Sequence, residues 1–516
     1  MSATHSSTVR LDNYFTYERS EGGARVDVWA DRRAGRPVSE RLFGLFTEHL
    51  GKNVYGGAWA QALANGGFEP FDAVLDDVPE THRKDVLGAT KARLALAAAQ
   101  FDMPGLVDFE SLGLAPYWSP AGDSGASYSL VPGLNGKAQA IRSTGGAAGI
   151  ETPLFLPLHR VDTYDFQVHV RTGALGAGRD AGGNRPSEPR SRAQAGTRPV
   201  AQSGGQSGLR SAAQPGTRSD AGRRVQPALR IELWHIGGPE EPPQRTAGAP
   251  FGLDHGGPIA KGYRERLLAC ERIRLDLPVF TPGRWTKARA LLRADTAGVP
   301  KGARLKFRLW VEGLPEIAFD QALLFPTDAI AGWDPEVVQL LRDAKVSVLR
   351  FPGGNFASGY HWEDGVGPIE RRPEKPNPAW HEWEPNHVGT DEWLALCELI
   401  GAEPLICVNA GNGIPEEAAN WVRYCNDPET TPWGQKRAAN GHPAPYNVRL
   451  WEVGNEIWGD FQIGWTNAEE YGARFGRFAE AMKAADPSID LIAVGGAMPL
   501  ALLADGARRR PDLLGA

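Results

Sequence analysis

Four apolar segments of this chain end in residues that could do chemistry on an uncharged substrate. Glu48-His49 closes the first. Arg350, followed by Pro352-Gly353-Gly354-Asn355, closes the second. Asn409-Ala410-Gly411-Asn412 closes the third, and Gly454-Asn455-Glu456 the fourth. A carboxyl at the end of an apolar strand suits a general acid, because partial burial raises its pKa toward working pH. Glycoside cleavage asks for such an acid to protonate the leaving oxygen. It also asks for a second carboxyl, about 5–5.5 Å away where configuration is retained. Glu456 beside Asn455 is the candidate acid/base. Taken alone, it is equally well a strand-end carboxylate capping the next turn.

Composition narrows the field. The 516 residues carry 56 Lys+Arg against 62 Asp+Glu, a net charge of −6, so nothing invites nucleic acid or an anionic membrane. The first residues show no basic region followed by an apolar run, and no apolar stretch reaches the ~20 residues of a membrane span. Cys270, Cys397, Cys407 and Cys425 have neither metal-ligand spacing nor a disulfide framework. Reduced thiols in a cytoplasmic protein are the expectation, with no metal and no cofactor. The PGGN turn at 352–355 matches neither GxGxxG nor a P-loop, which argues against a nucleotide site.

The elements that must position the candidates follow from periodicity. A short strand (ARVDVWA), a second (RLFGLFTEHLG) and an Ala-rich helix over 81–101 fill the segment 24–104. Between 105 and 325, Tyr164, Phe166, Val168 and Val170 alternate with polar residues, as do Leu229, Ile231 and Leu233, then Leu305, Phe307, Leu309 and Val311. Period-two alternation predicts strands with one buried face, several of which make a β-sandwich. Within that segment, 172–226 is rich in Gly, Ala, Arg, Ser, Gln and Pro, and is expected to be a disordered loop. From 326 to 516 the rhythm is strand–helix–strand. Pro335 and Pro415 open helices, Gly401 closes one, and Asn467 with Glu470 forms a capping box. Short apolar strands alternating with helices predict a parallel sheet with covered faces, and polar strand ends favour a barrel over an open sheet.

The segments FGLFTEHLGKNVYGG (43–57), LRFPGGNFASGYHWEDGVGP (349–368), EPNHVGTDEW (384–393) and YNVRLWEVGNEIWG (446–459), followed by EEYG (469–472), together resemble glycoside hydrolase family 51, the α-L-arabinofuranosidases. The resemblance implies an α/β fold, a (β/α)8 TIM-type barrel with a carbohydrate-binding-like sandwich inserted between barrel strands 1 and 2. It implies a retaining hydrolase that releases terminal α-L-arabinofuranosyl groups from arabinose-containing saccharides. Glu456 matches the acid/base, and Asn455 the residue that holds the sugar 2-hydroxyl. Glu48, Arg350 and Asn355 match residues that shape the arabinose pocket, and Trp380 an aromatic wall beside the leaving group. Arg350 has pairing with a barrel carboxylate as its plain alternative, and Asn355 a role in the turn. His49 fits a supporting partner better than a catalyst, and Cys407 fits core packing.

One departure stands out. The family places its nucleophilic Glu at the end of the seventh strand, whereas here one strand (491–496) follows Glu456. The expectation is a truncated product with barrel strands 1–5, carrying the acid/base but no nucleophile. Half of a split enzyme, a non-catalytic carbohydrate-binding remnant and another clan A glycosidase are the alternatives. Some members of the family assemble as hexamers, so a completed chain is open to forming a homo-oligomer.

Overall fold

Apolar strands separated by helices must pair in parallel, and alternating strands must leave one face wet. Both kinds of sheet are present. The structure, a computed structural model, describes residues 38–70, 80–122, 125–143, 148–173, 226–237, 264–276, 280–377, 379–380 and 382–495, with the backbone of three short strands between 9 and 28. The expected disordered loop at 172–226 falls, but for its ends, outside the described residues, as does 496–516. The chain divides into two compact units, one of Met1–Glu48, Glu336–Tyr360 and Asp391–Ala516, the other of His49–Pro335 and His361–Thr390.

The first unit is built on five strands, β1 (Leu45–Phe46), β2 (Val348–Phe351), β3 (Glu403–Val408), β4 (Leu450–Val453) and β5 (Asp490–Ala493). They lie side by side in chain order, and every neighbouring pair is parallel. Parallel neighbours need long crossovers. Helices α1 (Pro335–Asp343), α2 (Thr390–Ile400), α3 (Pro415–Asn426) and α4 (Ala468–Ala485) alternate with β2 to β5 along the chain. Pro415 occupies the first turn of α3, where its missing N–H costs nothing. Gly401 follows α2 at φ 73°, a left-handed turn that suits glycine. Asn467 caps α4 by accepting from Glu470 N at 3.0 Å. The reciprocal half of the expected capping box is absent, because the Glu470 carboxyl takes the Thr466 hydroxyl instead.

Aromatic rings fill the space between sheet and helices. Phe351 of β2 stacks on Trp393 of α2 at 4.9 Å, and Trp421 of α3 meets Trp451 of β4 edge-on at 6.0 Å. All four are buried, and each ring contributes roughly 1.5–3 kcal/mol through burial. Tyr471 of α4 donates to Val453 O at 2.8 Å and accepts from Val494 N at 2.8 Å, fastening that helix to the ends of β4 and β5. The outermost strand β1 differs, with Leu45 49% and Phe46 56% exposed.

In the second unit, strands Arg264–Arg274, Ala228–Gly237, Leu305–Glu312, Ala148–Leu154 and Ser119–Ala121 form one antiparallel sheet in that spatial order. Strands Thr286–Arg293, Thr163–Thr172, Glu316–Pro326, Lys137–Ser143 and Ala126–Pro132 form another. Tyr164, Phe166, Val168 and Val170 share one apolar core with Leu229, Ile231, Leu233, Leu305, Phe307, Leu309 and Val311, so the alternating residues of both sheets face one another. Phe166 and Phe307 meet at 5.1 Å. The Ala-rich segment forms the helix Glu80–Phe101. No helix among the described residues is long and apolar enough to cross a membrane.

Candidate active site

The parallel sheet delivers polar side chains at the C-terminal ends of its strands. Glu48, just beyond β1, is buried, and its Oε1 accepts from Phe356 N at 3.3 Å. The turn that supplies this N–H passes through Gly354 at φ 59°, where a Cβ would lie 2.1 Å from the Glu48 Cδ. Only glycine fits there, on steric and backbone grounds alike.

Arg350 ties four strands together from β2. Its Nε pairs with the Glu452 carboxylate on β4, and its Nη2 donates to Asn455 Oδ1 at 2.9 Å and to Cys407 Sγ on β3 at 3.4 Å. Its guanidinium carbon stands 5.6 Å from the Phe46 ring centroid on β1. Burial works against the arginine charge, but Cys407 and Glu452 outweigh it and hold the pKa above its ordinary value. Burial also pushes the Cys407 thiol up to about 12, so it stays neutral. Burial raises Glu452 as well, against the pull of Arg350.

A guanidinium has donors and no acceptor, so Asn455 must present its oxygen to Arg350 and turn its amide nitrogen away. That nitrogen points to Asn355 Oδ1 at 3.5 Å, which also accepts from Gln462 Nε2 at 2.5 Å. The orientation of the arginine is thus passed to two asparagines. The amide nitrogen of Asn355 is left uncommitted among the described residues.

Glu456 follows Asn455 directly. The expected partial burial is absent: the residue is exposed, and its carboxylate has no partner among the described residues. Its φ of 41° is a sparsely populated conformation for a side-chain-bearing residue. The loop beyond it exposes three aromatic rings, Trp458 at 36%, Phe461 at 57% and Trp465 at 56%.

The structure gathers Glu48, Arg350, Asn355 and Asn455 in the first unit, with Glu456 adjoining Asn455. Trp380 is described in the second unit, where its N–H donates to Asn377 Oδ1 at 3.3 Å. His49 is there too, buried, with Nε2 3.8 Å from Glu384 Oε2. Burial drives its pKa down to about 3, so it is neutral. Cys407 does more than fill the core, since its sulfur touches Arg350. Asn409 serves the turn, its Oδ1 accepting from Gly411 N and Asn412 N. Two participants went unforeseen. Glu452 carried a usable signal, a carboxylate inside an apolar strand that needs a cation. Gln462 lies in a loop without periodicity and carried none. Among the described residues, no group of three or more His, Cys, Asp or Glu is arranged to hold a metal ion.

Parallel strands in chain order, with an arginine, amides and carboxyls at their C-terminal ends, place the first unit in the α/β class of enzyme scaffold. Within that class, residues 340–503 match the family model described as the Alpha-L-arabinofuranosidase 1 domain. Over 164 residues the chain is 46% identical to Alpha-L-arabinofuranosidase C of Emericella nidulans, a segment that is 32% of each protein. It is 42% identical over 164 residues to the Intracellular exo-alpha-(1->5)-L-arabinofuranosidase of Halalkalibacterium halodurans, covering 32% of this chain and 33% of that one. The chain thus spans about a third of the length of the curated relatives it matches. The solved arabinose-bound MgGH51 α-L-arabinofuranosidase is similar over 88% of this chain and 58% of its own, with a TM-score of 0.56 and 21% identity, which shows a shared fold. The resemblance to the α-L-arabinofuranosidases therefore stands on residues 340–503.

Proposed function

We propose that this chain is part of a retaining glycoside hydrolase that releases terminal α-L-arabinofuranosyl groups, with Glu456 as the acid/base. The observation that carries the proposal is the chain of contacts from Glu452 through Arg350 and Asn455 to Asn355, which fixes two amides beside an uncommitted carboxylate. Asn455 and Asn355 would hold sugar hydroxyls, and Glu48 and Arg350 would shape the pocket. Arg350 acts in this reading through Asn455, its charge already met by Glu452. The exposed rings Trp458, Phe461 and Trp465 offer a surface for the leaving group. The apolar exposure of Leu45 and Phe46 supports a barrel whose further strands would cover β1. The nucleophile would come from those strands. The antiparallel sheets are taken as an insertion between β1 and β2. A cytoplasmic location fits the intracellular relative.

The test uses the enzyme completed by the strands that supply the nucleophile, and compares it with its Glu456→Ala variant on an arabino-oligosaccharide and on an activated aryl arabinofuranoside. A loss of about 10²–10⁴-fold on the oligosaccharide, with a much smaller loss on the aryl substrate, supports the acid role. Equal losses on both remove it. Binding of the oligosaccharide without release, by a folded enzyme completed with the nucleophile-bearing strands, selects a non-catalytic carbohydrate-binding protein instead.

A further inference from the structure

The second unit holds a cavity of about 350 Å³ that none of the candidate site residues lines. That volume lies in the range of small-molecule sites. Its walls include Tyr55, Trp59, Phe101, Tyr117, Phe155 and Trp383. Several wall residues have their polar groups engaged elsewhere. Trp383 Nε1 donates to Glu374 Oε2 at 2.5 Å, and the Tyr55 hydroxyl donates to Glu384 Oε1 at 2.5 Å. The Asn65 amide is bound to the backbone of Glu69 and Pro116. His387 also lines the cavity, and burial lowers its pKa to about 3, which keeps it neutral. Aromatic surface remains, with two buried donors, Trp59 Nε1 and Gln61 Nε2, that have no partner among the described residues.

Charge is distributed unevenly in this hollow. Asp334 is the one acid on its wall, and Arg160 holds it at 2.8 Å. Lys52 and Arg93 are the cations. The Lys52 stem lies along Gly56, 3.7 Å from where a Cβ would stand, and its ammonium is 5.3 Å from the Phe155 ring centroid. No carboxylate among the described residues pairs with that ammonium. The residue keeps solvent contact, and the burial of part of it holds its pKa below the ordinary value. An ammonium in such a place gains from a mobile anion what no side chain supplies.

We infer that this cavity binds a small planar aromatic carboxylate, its ring between the aromatic walls and its carboxylate on Lys52. A carboxylated sugar carries the same charge, but the open side-chain groups, Trp59 Nε1 and Gln61 Nε2, are both donors, so its several hydroxyl protons would lack acceptors on these walls, at a desolvation cost. The inference is independent of the glycosidase reading, because it concerns residues of the second unit alone.

Calorimetric titration of the 516-residue chain with trans-cinnamate, cinnamyl alcohol and D-glucuronate tests it. Saturable one-to-one binding of cinnamate is expected, weaker by about tenfold or more for the uncharged alcohol and for cinnamate on Lys52→Met. Ala97→Phe, which places a ring in the cavity, should abolish binding while the circular dichroism spectrum is kept. Should that variant fail to fold, the Lys52→Met comparison decides alone. Absence of saturable cinnamate binding, an unchanged Kd on Lys52→Met, or glucuronate binding as tightly as cinnamate would each overturn the inference.

Discussion

Charged and amide side chains of the first unit gather where strands end, whereas those of the second unit also run along a sheet face. On that face Glu232 accepts both indole N–H groups, from Trp234 at 2.9 Å and from Trp310 at 2.8 Å, and pairs with Arg230. Arg308 spans Glu151 at 2.6 Å and Glu265 at 2.8 Å, and Arg230 reaches Glu312 at 2.9 Å. The guanidinium of Arg308 lies over the Trp234 ring, and that of Arg230 over Trp310. Each charge there is met by another, and such a network rigidifies a sheet. At the strand ends of the first unit the matching stops short. Asn355 keeps its amide nitrogen and Glu456 its carboxylate. Saturated polarity marks structure, and unspent hydrogen-bonding capacity marks a place for a ligand.

The comparison is open to attack from both sides. Glu232→Ala should cost the most, about 3–5 kcal/mol, because it strips a buried carboxylate from Arg230 and two indoles. Chemical denaturation checks it, and a loss below 1 kcal/mol would mean that the face is ornament rather than scaffold. Glu452→Ala should cost less, about 2 kcal/mol, since the Arg350–Glu452 pair keeps some solvent contact, with side chains 15% and 18% exposed. It should also weaken binding of an arabino-oligosaccharide, as Asn455 loses the arginine that orients it. Asn355→Ala should cost about 1 kcal/mol or less in stability but, in the enzyme completed with its nucleophile, at least about tenfold in kcat/KM. The reverse pattern, a large stability loss with intact turnover, would place Asn355 with the scaffold.

The second unit also carries a pH dependence. Burial raises Glu69 to about 8, Asp320 to about 7 and Glu374 to about 6. A raised folded pKa means that the native state holds the proton more tightly than the unfolded chain. The contribution of these groups is full below about pH 4 and is lost as pH rises through about 6 to 8. Scanning calorimetry should show the melting temperature falling across that window, with a shallower slope for Glu374→Gln. A melting temperature that climbs from pH 6 to 8 would contradict the assignment.

Much of this architecture is legible in the residues themselves. Pro415 and Gly401 punctuate helices by local chemistry, and the alternation from Tyr164 to Val170 declares a two-faced strand. Glu48, Arg350, Asn355 and Asn455 are legible as polar ends of apolar strands, and their place in a sugar pocket is what the resemblance adds. The partner of Arg350 is not legible in the same way. Glu452 reaches it across β3, a matter of register between strands 102 residues apart in sequence. The exposure of Glu456 depends on the path of the loop after it, and Gln462 on where that loop returns. Neither path has a periodic signature.

The contact between Gly354 and Glu48 has a consequence for descent. The acid's carboxyl fills the spot from which any side chain at 354 would sprout. In descent, alanine at 354 is sterically open only once the acid has been shortened or displaced.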